Sequence, residues 1–279
     1  PGMSDWQNFS LQKDGGLYRL TLHTQCKGNA YNRLFWQEMD SLLADLKHDS
    51  ACRVLLIDAE GRHFGAGMNV DYLAELNVSK GDDPARYNHW IREKVLYLQA
   101  VISRLEALPM PVIAAARGAC IGGSLAIFAA CDLRLADSSA FFSIHETQIG
   151  IMCDLGTIQR LACLCGESVA TRMSLTGARI DTEEALRVQL LSAPVAAPEA
   201  LDAEARQLAE NLMALSPLAL SGVKRTLIEG RDMSFSASLS MSASWNGGMY
   251  TSPEIREAIA AQRERKAMDY RPLYGEVAQ

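Results

Sequence analysis

The stretch 111-PVIAAARGACIGGSLAIFAACDLRLAD-137 decides how this chain folds. Its first part, PVIAAARG, is a short apolar run that reads as a strand ending in a glycine turn. Gly122 and Gly123 then stand where a strand hands over to an apolar helix. The first N–H groups of a helix have no intrahelical partners and carry the positive end of its dipole. Such donors can hold a developing oxyanion. Two glycines are equally a plain answer to a tight turn, so the pair alone does not establish chemistry.

Outward from this stretch, strand and helix patterns alternate. LYRLTLH (17–23) reads as a strand, RLFWQEMDSLLADLKHD (33–49) as an amphipathic helix, and RVLLIDAEG (53–61) as a buried strand closing at a turn. After the polar 77-NVSKGDDP-84, a helical pattern runs from Ala85 to Ala107 and is stopped by the PMP at 109–111, since proline cannot continue a helix. Alternation of this kind predicts an α/β body with largely parallel strands. From Pro198 onward only helical patterns follow. The expected organisation is an α/β core over 1–197 and a helical region over 198–279.

Composition narrows the function classes. The chain has 279 residues, 48% of them hydrophobic, which is enough for a substantial core. Its formal net charge of −6 and scattered basic residues give no reason to expect nucleic acid or an acidic membrane surface as partner. The denser run 263-RERK-266 reads as a solvated helix face, with Arg263, Arg265 and Lys266 the cations available to a ligand phosphate. Seven cysteines, an odd number, do not make a disulfide framework. Cys120, Cys131, Cys153 and Cys163 lie in apolar sequence, where a thiol behaves as a small hydrophobe. Cys163 and Cys165 form C-x-C, but no second Cys/His cluster completes a metal site. Neither a spanning segment nor a signal peptide is evident, Pro1 and Gly2 before Met3 read as a cloning remnant, and the final GEVAQ is no peroxisomal address. A cytoplasmic protein is the expectation.

A second glycine loop, 63-HFGAGMNVDYL-73, repeats the first loop's character: glycines after a strand, then a helical start with free N–H groups near Met68. Two such loops can aim two N–H donors at one carbonyl oxygen, the geometry that a thioester enolate requires. Further on, 145-HETQIGIMCDLGTIQR-160 places Glu146 and Asp154 in a mostly apolar run. Ionised carboxylates are costly to bury without partners. Asp154 precedes a helical pattern and would serve as an N-cap for Gly156 or Thr157. Glu146 could be a buried acid satisfied by backbone donors, and its apolar surroundings would push its pKa upward. His145 adjoins Glu146, but in an extended segment would point to the opposite side. His63, His89 and His145 invite a hydrolase reading, yet GGS at 122–124 is not a nucleophile elbow.

RVLLIDAEGRHFGAGMNV together with PVIAAARGACIGGSLAIFAACDLRLADSSAFFSIHETQIGIMCDLGTIQRL resembles the enoyl-CoA hydratase/isomerase (crotonase) superfamily across nearly the whole chain. CKGNAYNRLFWQEM, HETQIGIMCDLGTIQRL and SPLALSGVKRTL make it most similar to the Δ3,5-Δ2,4-dienoyl-CoA isomerases. The resemblance implies a spiral of ββα units with a C-terminal helical trimerisation region, assembly as a homotrimer or hexamer, and an acyl-CoA thioester substrate. It implies no separate cofactor and no metal, since the substrate carries coenzyme A.

Carried over by position, the resemblance puts the oxyanion hole on the backbone N–H groups of Met68 and Gly123. It puts Ala66, Asn69, Val70 and Gly122 at the CoA. Glu146 falls on the shared family acid and Asp154 on the second acid of dienoyl isomerases. Asn69 replaces a common aspartate. Ala126 stands where hydratases place a glutamate and dienoyl isomerases commonly an aspartate. The missing acid argues against efficient hydration and removes a support for the central acid. Three readings follow: an enoyl- or dienoyl-CoA isomerase, a hydratase or other crotonase-type lyase, and a non-catalytic acyl-CoA binder.

Overall fold

The computed structural model describes residues 6–78 and 81–274. Pro1 to Met3, the closing GEVAQ, and Ser79 and Lys80 of the polar stretch lie outside the described residues.

The chain opens with a hairpin, β1 (Phe9–Asp14) and β2 (Leu17–Leu22), then enters α1 (Arg33–Leu46) and β3 (Val54–Ala59). Asn32 starts α1 by accepting the Phe35 N–H at 2.8 Å, which satisfies one orphan donor of the first turn. Next come α2 (Val70–Leu76), the long α3 (Pro84–Glu106) and β4 (Val112–Ala116). β5 (Ala119–Ile121) leads directly into α4 (Gly123–Ala130), followed by β6 (Leu133–Ala136) and β7 (Phe141–Ser143). A 3-10 turn (Glu146–Ile149) precedes α5 (Thr157–Cys165), α6 (Glu167–Thr176), β8 (Ile180–Asp181) and α7 (Thr182–Arg187). The remainder is helical: α8 (Leu201–Met213), α9 (Pro217–Glu229), α10 (Phe235–Met249) and α11 (Pro253–Glu264).

Five strands form the main sheet in the order β1-β2-β3-β4-β6, and three form a second in the order β5-β7-β8. Within the main sheet only β1 and β2 are antiparallel. Alternate residues of each strand enter different cores. Leu20, Leu55, Ile57 and Ala114 pack with α1 and α3 on one face, while Leu56, Ile113 and Leu135 meet Leu201, Ala205 and Ala209 of α8 on the other. Burial on both faces is why β3 and β4 read as continuous apolar runs rather than as alternating ones. It also makes α8 part of the body, although the strands themselves end before residue 198 as expected.

α9 is fastened to the sheet by Lys224, whose buried Nζ lies 2.7 Å from Asp132 Oδ2 and donates to Met110 O at 2.9 Å. α10 buries none of its residues; Phe235 is 81% exposed and Leu239 56%. The basic run at 263–266 is exposed at the end of α11. Cys120, Cys131 and Cys153 are buried as expected, but Cys163 is exposed, because it falls on the outer side of α5 whereas Leu161 faces in. No described helix is long and apolar enough to cross a membrane.

Candidate active site

The two glycine loops are sewn together by backbone bonds. Gly65 N donates to Ala119 O at 2.9 Å and Ile121 N to Gly65 O at 3.2 Å. On the other side Tyr31 N donates to Gly67 O at 2.7 Å and Asn69 N to Tyr31 O at 2.9 Å. Gly67 N is taken by the buried Ser124 Oγ at 3.0 Å. This pattern consumes the N–H groups on either side of Met68 and leaves that of Met68 without an acceptor among the described residues. Gly123 N, the first of α4, is likewise free.

The two free donors are neighbours. A methyl group on the Gly123 Cα would lie 3.8 Å from Met68 N. The approach depends on glycine at 67, where φ is +83° and a Cβ would stand 2.9 Å from Ile121 O and 3.3 Å from Gly123 N. Gly122 N donates to Ser143 O at 3.1 Å, so β7 fixes the turn from below.

β7 also delivers the acid. Three residues past Ser143 the chain enters the 3-10 turn with Glu146 as its first residue. The segment is not extended: His145 is in the helical region, φ −97° and ψ −14°, because Gln148 N bonds back to His145 O. Glu146 Oε2 is buried without a hydrogen-bond partner among the described residues. Burial pushes its carboxyl above the usual range, and the charge of Asp154 acts in the same direction. Cys153 lies against it, a buried thiol pushed up to about 12 by burial first and the Glu146 charge second.

Asp154 is half-buried and is not a helix cap. The N-cap of α5 is Gly156, in the left-handed region at φ 85°, with no side-chain capping bond. The helix begins two residues later than a capping aspartate at 154 would require, and the left-handed glycine lies between Asp154 and the helix. Instead, Gln99 of α3 holds the Asp154 carbonyl at 2.6 Å. Burial also raises the Asp154 carboxyl.

The remaining residues singled out in the sequence fall around this centre. Asn69 caps α2, its Oδ1 accepting the Tyr72 N–H at 3.0 Å. It borders an open cavity of about 340 Å³ that Arg33 and Tyr72 also line. Ala66 is half-buried and Val70 is exposed. Ala126 is fully buried one turn into α4, its N–H bonded to Gly122 O at 3.1 Å. The histidines do not gather into a hydrolase site: His63 Nδ1 accepts from Ala119 N at 3.0 Å, and His89 and His145 are exposed. Sequence reading passed over Ser124, Trp36 and Cys153, since nothing in their local pattern shows that they meet at this centre.

Two neighbouring free N–H donors beside a partly desolvated carboxylate can together remove a proton next to a carbonyl group and hold the resulting charge. The model of the enoyl-CoA hydratase/isomerase family matches residues 12–272. The chain belongs to the enoyl-CoA hydratase/isomerase family. It is 33% identical over 255 residues to the peroxisomal Delta(3,5)-Delta(2,4)-dienoyl-CoA isomerase of Arabidopsis thaliana, covering 91% of this chain and 92% of that protein. It is 34% identical over 253 residues to the mitochondrial enzyme of the same name from Homo sapiens, covering 88% and 77%. The crystal structure of enoyl-CoA hydratase from Bacillus anthracis superposes with a TM-score of 0.86 at 26% identity, covering 95% of this chain and 99% of that one. This family member therefore has the crotonase fold that the glycine loops led us to expect.

Proposed function

We propose that the chain is an acyl-CoA isomerase that moves the double bonds of dienoyl- or enoyl-CoA thioesters through an enolate. The observation that carries this reading is the unpartnered, buried Glu146 Oε2 beside two free N–H groups. The relatives named dienoyl-CoA isomerases support the substrate class.

In the proposed reaction the thioester oxygen accepts from Met68 N and Gly123 N. Ionised Glu146 takes a proton from C2, the electron pair spreads through the dienolate, and protonated Asp154 delivers a proton at C6. Each oxyanion donor contributes about 3 kcal/mol. Burial raises both carboxyls, which suits acids that must accept a proton in one step and give one in another. Ala66, Asn69, Val70 and Gly122 border the CoA, with the cavity beside Asn69 available to its nucleotide end.

Hydration is the second reading, and Ala126 speaks against it, because its methyl group can neither accept a proton from water nor orient one. Product analysis by absorbance and mass spectrometry across a panel of enoyl- and dienoyl-CoAs tests the proposal. Growth of near-ultraviolet absorbance without mass change supports isomerisation; a mass gain of one water supports the hydratase; CoA binding without any turnover leaves a binder. We further propose self-association through the exposed apolar side chains of α10, as a trimer or pair of trimers, checked by sedimentation.

A further inference from the structure

Met68, the proposed first oxyanion donor, has a side chain that is itself held. Trp36 Nε1 donates to Met68 Sδ at 3.2 Å. The indole is 1% exposed and sits in an aromatic cluster: it meets Tyr31 edge-on at 5.8 Å between centroids and Phe35 edge-on at 5.3 Å. Tyr31 is the residue whose backbone brackets Met68 on both sides. The same indole also reaches the second donor. A methyl group on the Gly123 Cα would lie 3.7 Å from Trp36 Cζ2 and 3.7 Å from Met68 Cγ. One rigid ring therefore holds the side chain of the first donor and faces the Cα of the second, with room for a methyl group between them.

We propose that Trp36 is a positioning residue that sets the spacing of the Met68 and Gly123 N–H groups, with the Met68 sulfur as its handle. The inference rests on the isomerase reading above. The loop carrying Met68 is secured by backbone bonds at Gly67 and Asn69. Because the peptide is planar, the Gly67 carbonyl held by Tyr31 N also orients the Met68 N–H, so what the side chain can still set is the distance of Met68 from Gly123. A methionine side chain with several rotatable bonds would fix it poorly unless its far end were anchored. The indole N–H supplies the anchor. A buried indole without a partner would be penalised, so the sulfur also satisfies Trp36.

Three variants test it: Trp36→Phe keeps a ring and removes the donor, Met68→Leu keeps the volume and removes the acceptor, and the third carries both changes. Misplacing a donor costs less than deleting one, so each single variant should lower kcat about three- to tenfold with KM nearly unchanged. The double variant should be no slower than the worse single, because both changes break one contact. Two bound probes separate positioning from general packing. The enolate absorbance of a bound 3-ketoacyl-CoA should fall in all three variants, whereas the Kd of a saturated acyl-CoA, which develops no charge, should hold. Additive losses, or losses that follow melting temperature and saturated acyl-CoA affinity alike, overturn the inference and leave the isomerase reading intact. A wild type that neither turns over enoyl- or dienoyl-CoA nor stabilises the enolate overturns both.

Discussion

Gly122 and Glu146 face each other closely: a methyl group on the Gly122 Cα would lie 3.5 Å from Glu146 Oε1 and 3.7 Å from the Gly67 Cα. Those contacts are ordinary in length, so space does not forbid alanine at 122. Backbone does, since φ is 56° and ψ −125°, a region that residues with a Cβ avoid. Gly122→Ala should therefore cost about 1–3 kcal/mol of stability. It should also cost turnover, because relaxing the turn rotates the Gly123 N–H away from Met68 N. Thermal unfolding and steady-state rates on the same preparation check both effects. Full activity at unchanged stability would mean that the turn is not held as described.

The two acids are separable by substitution. Glu146→Gln should lower turnover of every substrate by about two to four powers of ten, the usual loss on removing a general base. Asp154→Asn should harm dienoyl substrates much more than simple 3-enoyl ones, since only the longer transfer needs a second proton carrier. Asp154 does not cap α5, so its replacement should not lower the melting temperature. Equal kinetic losses on both substrate types would remove the distinct role of Asp154.

How much of this centre was legible in the sequence follows from physics. The apolar runs that became β3 and β4, and the periodic runs that became α1 and α3, carry their signal locally, because each buries a whole face or a whole strand. β5 and β7 have three residues each and β8 only two, too few to show a period; they exist because neighbouring segments pair with them. Asp154 looked like a cap because D-x-G before a helical pattern is a capping spacing. The left-handed Gly156 that displaces the helix start has no sequence signature distinct from that pattern. Whether His145 and Glu146 are extended was equally illegible, because a four-residue 3-10 turn is too short to show a period and is closed by backbone bonds alone, among them Gln148 N to His145 O and Gly150 N to Thr147 O. The loops announced themselves by glycine. Ser124 and Trp36, which hold those loops in place, lie on apolar faces that any core helix would share.

Burial of both carboxyls makes stability depend on pH in a defined direction. Glu146 and Asp154 are raised in the folded protein above their ordinary values of 4.5 and 3.8. The unfolded chain therefore loses these protons first as pH rises. Their contribution to stability is complete below the ordinary carboxylate range and is lost as pH rises through the raised folded values. A Glu146→Gln, Asp154→Asn double variant has no such loss. Its melting temperature relative to wild type should climb from about pH 4, where Asp and Glu ordinarily ionise, and level off once the pH has passed the raised folded values. A flat difference across that window would show that neither carboxyl is raised.

Lys224 predicts how tightly the helical region is joined to the sheet. Its side chain is 8% exposed and its ammonium pairs with the carboxylate of Asp132, whose side chain is 24% exposed. Asp132 also accepts the Val112 N–H at 2.7 Å, which ties the pair to the first residue of β4. Lys224→Met should cost about 3 kcal/mol, because it leaves a largely buried carboxylate without its counter-charge. The paired change Lys224→Met with Asp132→Asn should recover part of that loss. Denaturant unfolding of the three variants gives the measurement, and a loss that the second change does not reduce would show that the lysine acts through its packing alone.

Ala126 carries the last prediction. It is fully buried in the main core, one turn beyond the Gly122 turn whose carbonyl its own N–H bonds. Adding water across a 2-enoyl double bond calls for two acid/base groups, one to activate water and one to place the proton, and this chain has Glu146 but an alanine where the family resemblance puts the second acid. Lack of one member of such a pair typically costs about two to four powers of ten. Wild-type hydration of short 2-trans-enoyl-CoA should accordingly fall that far below its isomerase rate. Ala126→Glu should raise hydration measurably, since a second carboxyl can give Glu146 Oε2 the partner it lacks and hold a water between them. The same substitution should lower the melting temperature, because it forces volume and a polar group into a filled core. Enoyl absorbance, 3-hydroxyacyl product mass and thermal unfolding read the three effects. Rapid hydration by the unmodified protein would overturn the isomerase reading and put the hydratase in its place.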